Sequence, residues 1–118
     1  MPDEVIKEKR RHPRVPADLK VRFRVLRATD LSFVDDEAVS RDMGLGGLAL
    51  VLRSAGPLRK DDMVKLEILD GEAQGLRAYA EVAWASADNA GLHFMGILDR
   101  DRERLRTVIE ARLAGPKL

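Results

Sequence analysis

The sequence contains no cysteine, few aromatic residues and no long apolar run. Its 118 residues include three Phe, one Tyr and one Trp. The absence of Cys excludes a disulfide framework, a thiolate nucleophile and a zinc or iron–sulfur site with Cys ligands. No apolar run approaches the ~18 residues that a membrane-spanning helix needs, so we expect no membrane span. Aromatic residues, at 4%, are too few for a base-stacking platform, so we expect no DNA or RNA partner.

Residues suited to catalysis or metal binding are also scarce. The two histidines, His12 and His93, have neither a paired nucleophile nor a second set of metal ligands, and His93 is expected to face solvent on a strand. We therefore expect no enzymatic activity, no metal and no cofactor. The N-terminal residues 1–12 are polar throughout and cannot serve as the apolar core of a signal peptide, so a cytoplasmic location is expected.

The formal net charge of +1 conceals an uneven distribution. Residues 1–27 carry nine Lys and Arg against four Asp and Glu, residues 28–49 carry one against five, and residues 50–118 carry eleven of each. The chain therefore begins with a basic arm that is followed by an acidic segment. Such an arm could bind a polyanion, a phosphate ligand or a membrane surface, but the same composition is also typical of a solvated tail.

From residue 19 onward the hydrophobic pattern is typical of β-strands. The predicted strands cover residues 19–25, 37–42, 48–52, 64–68, 77–84 and 92–94. Apolar residues alternate with charged ones in most of them, which predicts strands with one buried face. The strand over 48–52 is apolar on both faces and is expected to be fully buried, whereas residues 29–36 are polar and turn-like. Trp84 shares a face with Val82 and two small alanines, a pattern that favours a core position.

The last segment changes to a helical period. Asp99 can cap a helix that runs to residue 114, and Leu105, Val108, Ile109 and Leu113 form one apolar stripe along it. Six strands followed by one helix predict an all-β fold, a six-stranded antiparallel β-barrel with a C-terminal α-helix over one opening. The predicted organisation is a flexible arm over residues 1–14, a barrel over 15–98 and a helix over 99–114, in one domain.

Two motifs carry the functional information. The first is Arg10-Arg11-His12-Pro13-Arg14, an R-x-x-x-R spacing whose guanidinium groups can pair bidentately with phosphate or with guanine. The second runs from Asp42 to Gly47, where a carboxylate precedes a glycine-rich turn. Taken separately, each has an ordinary explanation, a basic tail in the first case and a tight type I′ or II′ hairpin in the second.

Together the two motifs resemble those of the PilZ domain, a bacterial receptor for cyclic di-GMP. The family combines R-x-x-x-R with D/N-x-S-x-x-G, and here Arg14 and Asp42 are 28 positions apart, as the family spacing requires. The resemblance covers about residues 8–112 and implies the same six-stranded barrel. It also implies a ligand site formed by Arg10, Arg11, Arg14, Asp42, Gly44, Gly47 and Trp84.

The resemblance implies a binding module that passes its signal to a separate effector protein. Arg10, Arg11 and Arg14 are expected to fold over the nucleotide from an arm that is disordered in its absence. Trp84 either stacks on guanine or fills the barrel core. Gly44 occupies the position of the motif serine, so one hydroxyl is missing. This departure leaves an alternative open, in which the domain is a protein–protein adaptor with weak or no nucleotide binding.

Overall fold

The residues that the structure describes fold into seven strands and one α-helix. The computed structural model describes residues 14–27, 32–53 and 58–114. The strands are β1 (Val15–Pro16), β2 (Lys20–Arg27), β3 (Ser32–Gly44), β4 (Gly47–Leu52), β5 (Met63–Ile68), β6 (Arg77–Ala85) and β7 (Asn89–Ile97). A short 3₁₀ helix spans Gly71–Ala73, and α1 spans Asp99–Ala114.

Six of the strands close into an antiparallel barrel. The order around it is β3–β2–β5–β6–β7–β4, and β4 pairs back onto β3. The additional strand, β1, pairs antiparallel with the end of β3, where Val15 lies opposite Met43. The predicted six-stranded barrel is therefore confirmed, with β1 as an extra strand beside its closing seam.

Alternation along the strands builds the core. In β2 the side chains of Val21, Phe23 and Val25 are buried, while Arg22 and Arg24 between them are exposed. The same period places Val64, Leu66 and Ile68 of β5 and Ala78 and Ala80 of β6 inside. Because successive side chains of a strand point to opposite faces, this period of two determines which half of each strand lies inside the barrel.

The segment predicted as a polar turn is largely strand. β3 begins at Ser32, and residues 32–39 pair with β2 in a continuous register. Asp35 lies opposite Arg24, and the two make a bidentate contact at 2.7 and 2.9 Å. The hydrogen bonds from Arg24 lower the pKa of Asp35. Asp35 therefore lies on an outer face where it meets a cross-strand arginine, a pairing that sequence polarity alone does not reveal.

Helix α1 packs its predicted stripe against the barrel, with one exception. Leu105, Val108 and Ile109 are buried in the common core, but Leu113 is 52% exposed, since the helix extends past the end of the core there. Near the same end, Arg112 donates to the carbonyl oxygen of Pro16 and to Glu72. Within the described ranges the helical segments are too short or too polar to cross a membrane.

Candidate ligand-binding groove

Strand β1 brings the first sequence motif to the second. Arg14 directly precedes β1, and Pro16 lies opposite Asp42 in the register with β3. Arg14 Nη1 is 3.4 Å from Asp42 Oδ1, and the two side chains are 31% and 26% exposed. Two residues 28 positions apart in the chain thus form an ion pair at the surface of the barrel.

A β-bulge turns Asp42 outward. The pairing of β3 with β4 shifts between Ser40 and Asp42, so that Arg41 has no partner on β4. Ser40 and Met43 are both buried, and strict alternation would place Asp42 inside with Ser40. The extra residue changes the alternation, and Arg41 and Asp42 both lie on the outer face. Bulges commonly redirect side chains in this way next to binding sites.

The segment that carries Arg14 is held to β3 beside this bulge. The buried hydroxyl of Ser40 accepts a hydrogen bond from the amide of Leu19 at 2.9 Å and donates to the carbonyl oxygen of Ala17. The amide of Ala17 in turn donates to the carbonyl oxygen of Arg41 at 3.2 Å. These bonds set the position of β1, and therefore of Arg14, relative to Asp42.

The glycine-rich segment forms the tight turn between β3 and β4. Gly44 pairs with Gly47 across it, but the turn is not of the expected type I′ or II′, because neither Leu45 nor Gly46 has a positive φ. A side chain at Gly47 would collide with the carbonyl oxygen of Leu92 on β7. At this position glycine is required by the close approach of two strands.

Trp84 lies outside the barrel, so the core position, one of the two alternatives that the sequence left open for it, is wrong. The register between β6 and β7 shifts between Val82 and Trp84, and this second bulge changes the alternation once more. Trp84 is 43% exposed. Its indole lies directly over Gly91, where an added Cβ would collide with the ring. The absence of a side chain at Gly91 therefore allows the indole to pack directly against the backbone there.

Arg14, Trp84 and Gly91 line two adjoining clefts. The larger, of about 840 Å³, extends past Gly44–Gly47 and along β7 to the start of α1. The smaller, of about 560 Å³, includes Arg41 and Asp42. The structure thus brings together five of the predicted site residues, Arg14, Asp42, Gly44, Gly47 and Trp84. Arg10, Arg11 and the predicted mobility of their arm lie outside the described residues.

Sequence reasoning missed several residues of this groove, among them Arg41 and Gly91. Arg41 and Gly91 both line the smaller cleft. The register between neighbouring strands determines the position of each, and no pattern in the nearby sequence predicts it. His93 is exposed on β7, as predicted. Over the described ranges, no group of three or more His, Asp or Glu residues is arranged to hold a metal ion.

Comparison with known structures finds the same barrel in several proteins, two of which were solved with c-di-GMP. The PilZ domain of YcgR from Escherichia coli, solved with c-di-GMP, matches with a TM-score of 0.68 and 18% identity over 90% of this chain and 92% of that chain. The inhibitor of motility MotI from Bacillus subtilis gives 0.69 and 19% over 92% of this chain and 53% of its own. The MrkH–c-di-GMP complex of K. pneumonia gives 0.63 and 18% over 89% and 52%.

At these identities the structural matches establish the fold, and the chain spans about half the length of MotI and MrkH. A search of curated proteins finds no match. The sequence model of the PilZ domain matches residues 8–111, nearly the whole chain. The closed barrel with its C-terminal helix agrees with that match, and the chain belongs to the PilZ domain family.

Proposed function

We propose that this PilZ domain is a receptor for cyclic di-GMP. The observation that supports the proposal is the convergence of Arg14, Asp42 and Trp84 on one groove beside the Gly44–Gly47 turn. Related domains of similar fold have been solved with this nucleotide. The ligand carries two phosphates and two guanines, and the groove offers a partner for each kind of group.

The roles follow from the chemistry of each residue. Arg14, together with Arg10 and Arg11 of the same motif, presents planar donors to phosphate oxygens or to guanine O6 and N7. Asp42 accepts from guanine N1–H and N2–H₂. The half-exposed indole of Trp84 offers a face for base stacking. Gly44 and Gly47 leave the turn without side chains, so a ligand can approach the backbone.

Signalling in this proposal comes from the N-terminal arm. Ligand binding recruits Arg10 and Arg11 to the groove, and the new position of the arm is recognised by a separate effector protein. The effector class is a motility, pilus or polysaccharide system, and one relative of similar fold is named an inhibitor of motility. The proposal includes a cytoplasmic location and no catalytic activity.

Calorimetric titration with cyclic di-GMP tests the proposal. We expect micromolar or tighter binding, and the same experiment gives the stoichiometry. Absence of both heat and amide chemical-shift changes at about 100 μM ligand, an affinity weaker than about −5.5 kcal/mol, would contradict it.

A second candidate function is a protein–protein adaptor with weak or no nucleotide binding. Gly44 favours it, because the serine hydroxyl of the family motif is absent there. Under this hypothesis the protein captures the same effector with and without cyclic di-GMP. A receptor instead shows capture that depends on the nucleotide, so a pull-down in both conditions separates the two functions.

A further inference from the structure

The bulge residue Arg41 shares the outer face with Asp42 and completes a three-residue cluster with Arg14. Its Nε lies 3.4 Å from Asp42 Oδ2, and its side chain is 52% exposed. Arg14 approaches the other carboxylate oxygen at the same distance. Two guanidinium groups therefore share one carboxylate, and the cluster keeps a net charge of +1 in a cleft of about 560 Å³.

The contacts within this cluster are long for charged groups. By comparison, Arg24 and Asp35 of the same barrel form a close ion pair with hydrogen bonds of 2.7 and 2.9 Å. Both contacts to Asp42 measure 3.4 Å, and Asp42 Oδ1 is buried without a hydrogen bond. Charge-assisted hydrogen bonds normally lie near 2.7–2.9 Å. The cluster is therefore loosely engaged, and its guanidinium donors are available to a ligand.

We infer that Arg41 is a phosphate-binding residue of this site, an inference that rests on the proposed nucleotide function. A phosphate in the smaller cleft accepts from the guanidinium of Arg41 in place of the 3.4 Å contact with Asp42. Asp42 is then free to accept from the guanine edge. Arg41 lies outside both sequence motifs, and it supplies a charged bond in the smaller cleft, whereas Gly44 lines the larger one.

Titration of single variants with cyclic di-GMP tests this role. We expect Arg41→Ala to bind about 10- to 150-fold more weakly, the worth of one charge-assisted hydrogen bond. The affinity of Arg41→Lys should lie between those of Arg41→Ala and the parent, because lysine keeps the charge but lacks the planar guanidinium. The matched control is Arg53→Ala, which removes a 66% exposed arginine of the same barrel outside both clefts and should bind like the parent.

Two further measurements separate phosphate binding from a role in holding Asp42. The affinity of the parent should fall more steeply with added salt than that of Arg41→Ala, because one ionic contact to the ligand is missing in the variant. The loss caused by Arg41→Ala should also persist in an Asp42→Asn background. If it disappears there, Arg41 acts only through Asp42, and the assignment to phosphate is overturned. Melting curves identify any variant that has lost its fold.

The remaining outcomes distinguish this inference from the proposed function. If the parent binds and Arg41→Ala binds equally well, the inference is wrong while the receptor function stands. If the parent itself does not bind cyclic di-GMP, the receptor function fails, and the role of Arg41 fails with it.

Discussion

At the residue scale, Arg14 is the described residue on which the proposed ligand site depends most. It joins the R-x-x-x-R motif to Asp42 and lines both clefts. We expect Arg14→Ala to weaken cyclic di-GMP binding by about 10- to 150-fold per charge-assisted bond lost, measured by calorimetry. Arg106→Ala is the control, since this helix arginine pairs with Glu103 away from the groove. Unchanged affinity in Arg14→Ala would show that the site has been assigned to the wrong place.

Gly44 provides the opposite test, a substitution that should improve binding. The glycines with positive φ in the described ranges are Gly71 and Gly75, not Gly44, so Ser is compatible with the backbone at this position. Gly44→Ser restores the hydroxyl of the family motif and should tighten binding by about 2- to 12-fold, the worth of one neutral hydrogen bond. Titration beside a melting curve checks this, and weaker binding at unchanged stability would contradict it.

At the element scale, the position of β1 depends on Ser40. Its hydroxyl is the partner of the Leu19 amide and the Ala17 carbonyl in a site that is 1% exposed. Ser40→Ala leaves both groups buried without that partner, so we expect the free energy of unfolding to fall by about 1–3 kcal/mol. Urea denaturation measures this loss.

The same substitution should also affect the proposed ligand site, because Arg14 directly precedes β1. Affinity for cyclic di-GMP should fall in Ser40→Ala even at temperatures where the variant is fully folded. Ser86→Ala is the matched control, since its hydroxyl is exposed and makes a longer bond of 3.3 Å to the Asn89 carbonyl. We expect that control to stay within about 0.5 kcal/mol of the parent. Equal stability of the two variants would argue against a tethering role for Ser40.

At the scale of the whole molecule, one arginine connects the helix, the 3₁₀ helix and β1. Arg112 of α1 donates at 2.9 Å to the Pro16 carbonyl and at 2.8 Å to Glu72. The hydrogen bond from Arg112 lowers the pKa of Glu72 below its ordinary value of 4.5, and a backbone hydrogen bond of Glu72 itself contributes. The stability from this pair is therefore fully present above pH 4.5 and is lost as the pH falls through the lower folded pKa.

This linkage predicts a pH-dependent difference between the parent and Glu72→Gln. At pH 7 the variant should be less stable by under about 1 kcal/mol, because Glu72 is half exposed and the pair is screened by solvent. As the pH falls below about 4, the difference should close. Melting curves across pH measure it, with Glu110→Gln, an exposed residue of the same helix, as the control. A difference that is constant with pH would mean that the ion pair adds nothing to stability.

The sequence by itself determined the class of the fold and the family. Local alternation is enough to identify strands such as β2 and β5, because burial of one face imposes a period of two. The helical stripe of α1 is equally local. The spacing of Arg14 and Asp42 identifies the PilZ motifs, because the residue types of a motif and the distance between them along the chain are properties of the sequence alone.

Only the tertiary structure decided which way the decisive side chains point. Uninterrupted alternation from Ser40 would place Asp42 in the barrel, and from Val82 it would place Trp84 there. One unpaired residue in each strand, Arg41 in β3 and Ala83 in β6, turns them both outward. A bulge depends on the register with a neighbouring strand, and register is set by contacts between residues far apart in the chain. For that reason the sequence predicts the strands, while the groove with Arg41 beside Asp42 and Trp84 over Gly91 exists only in the closed barrel.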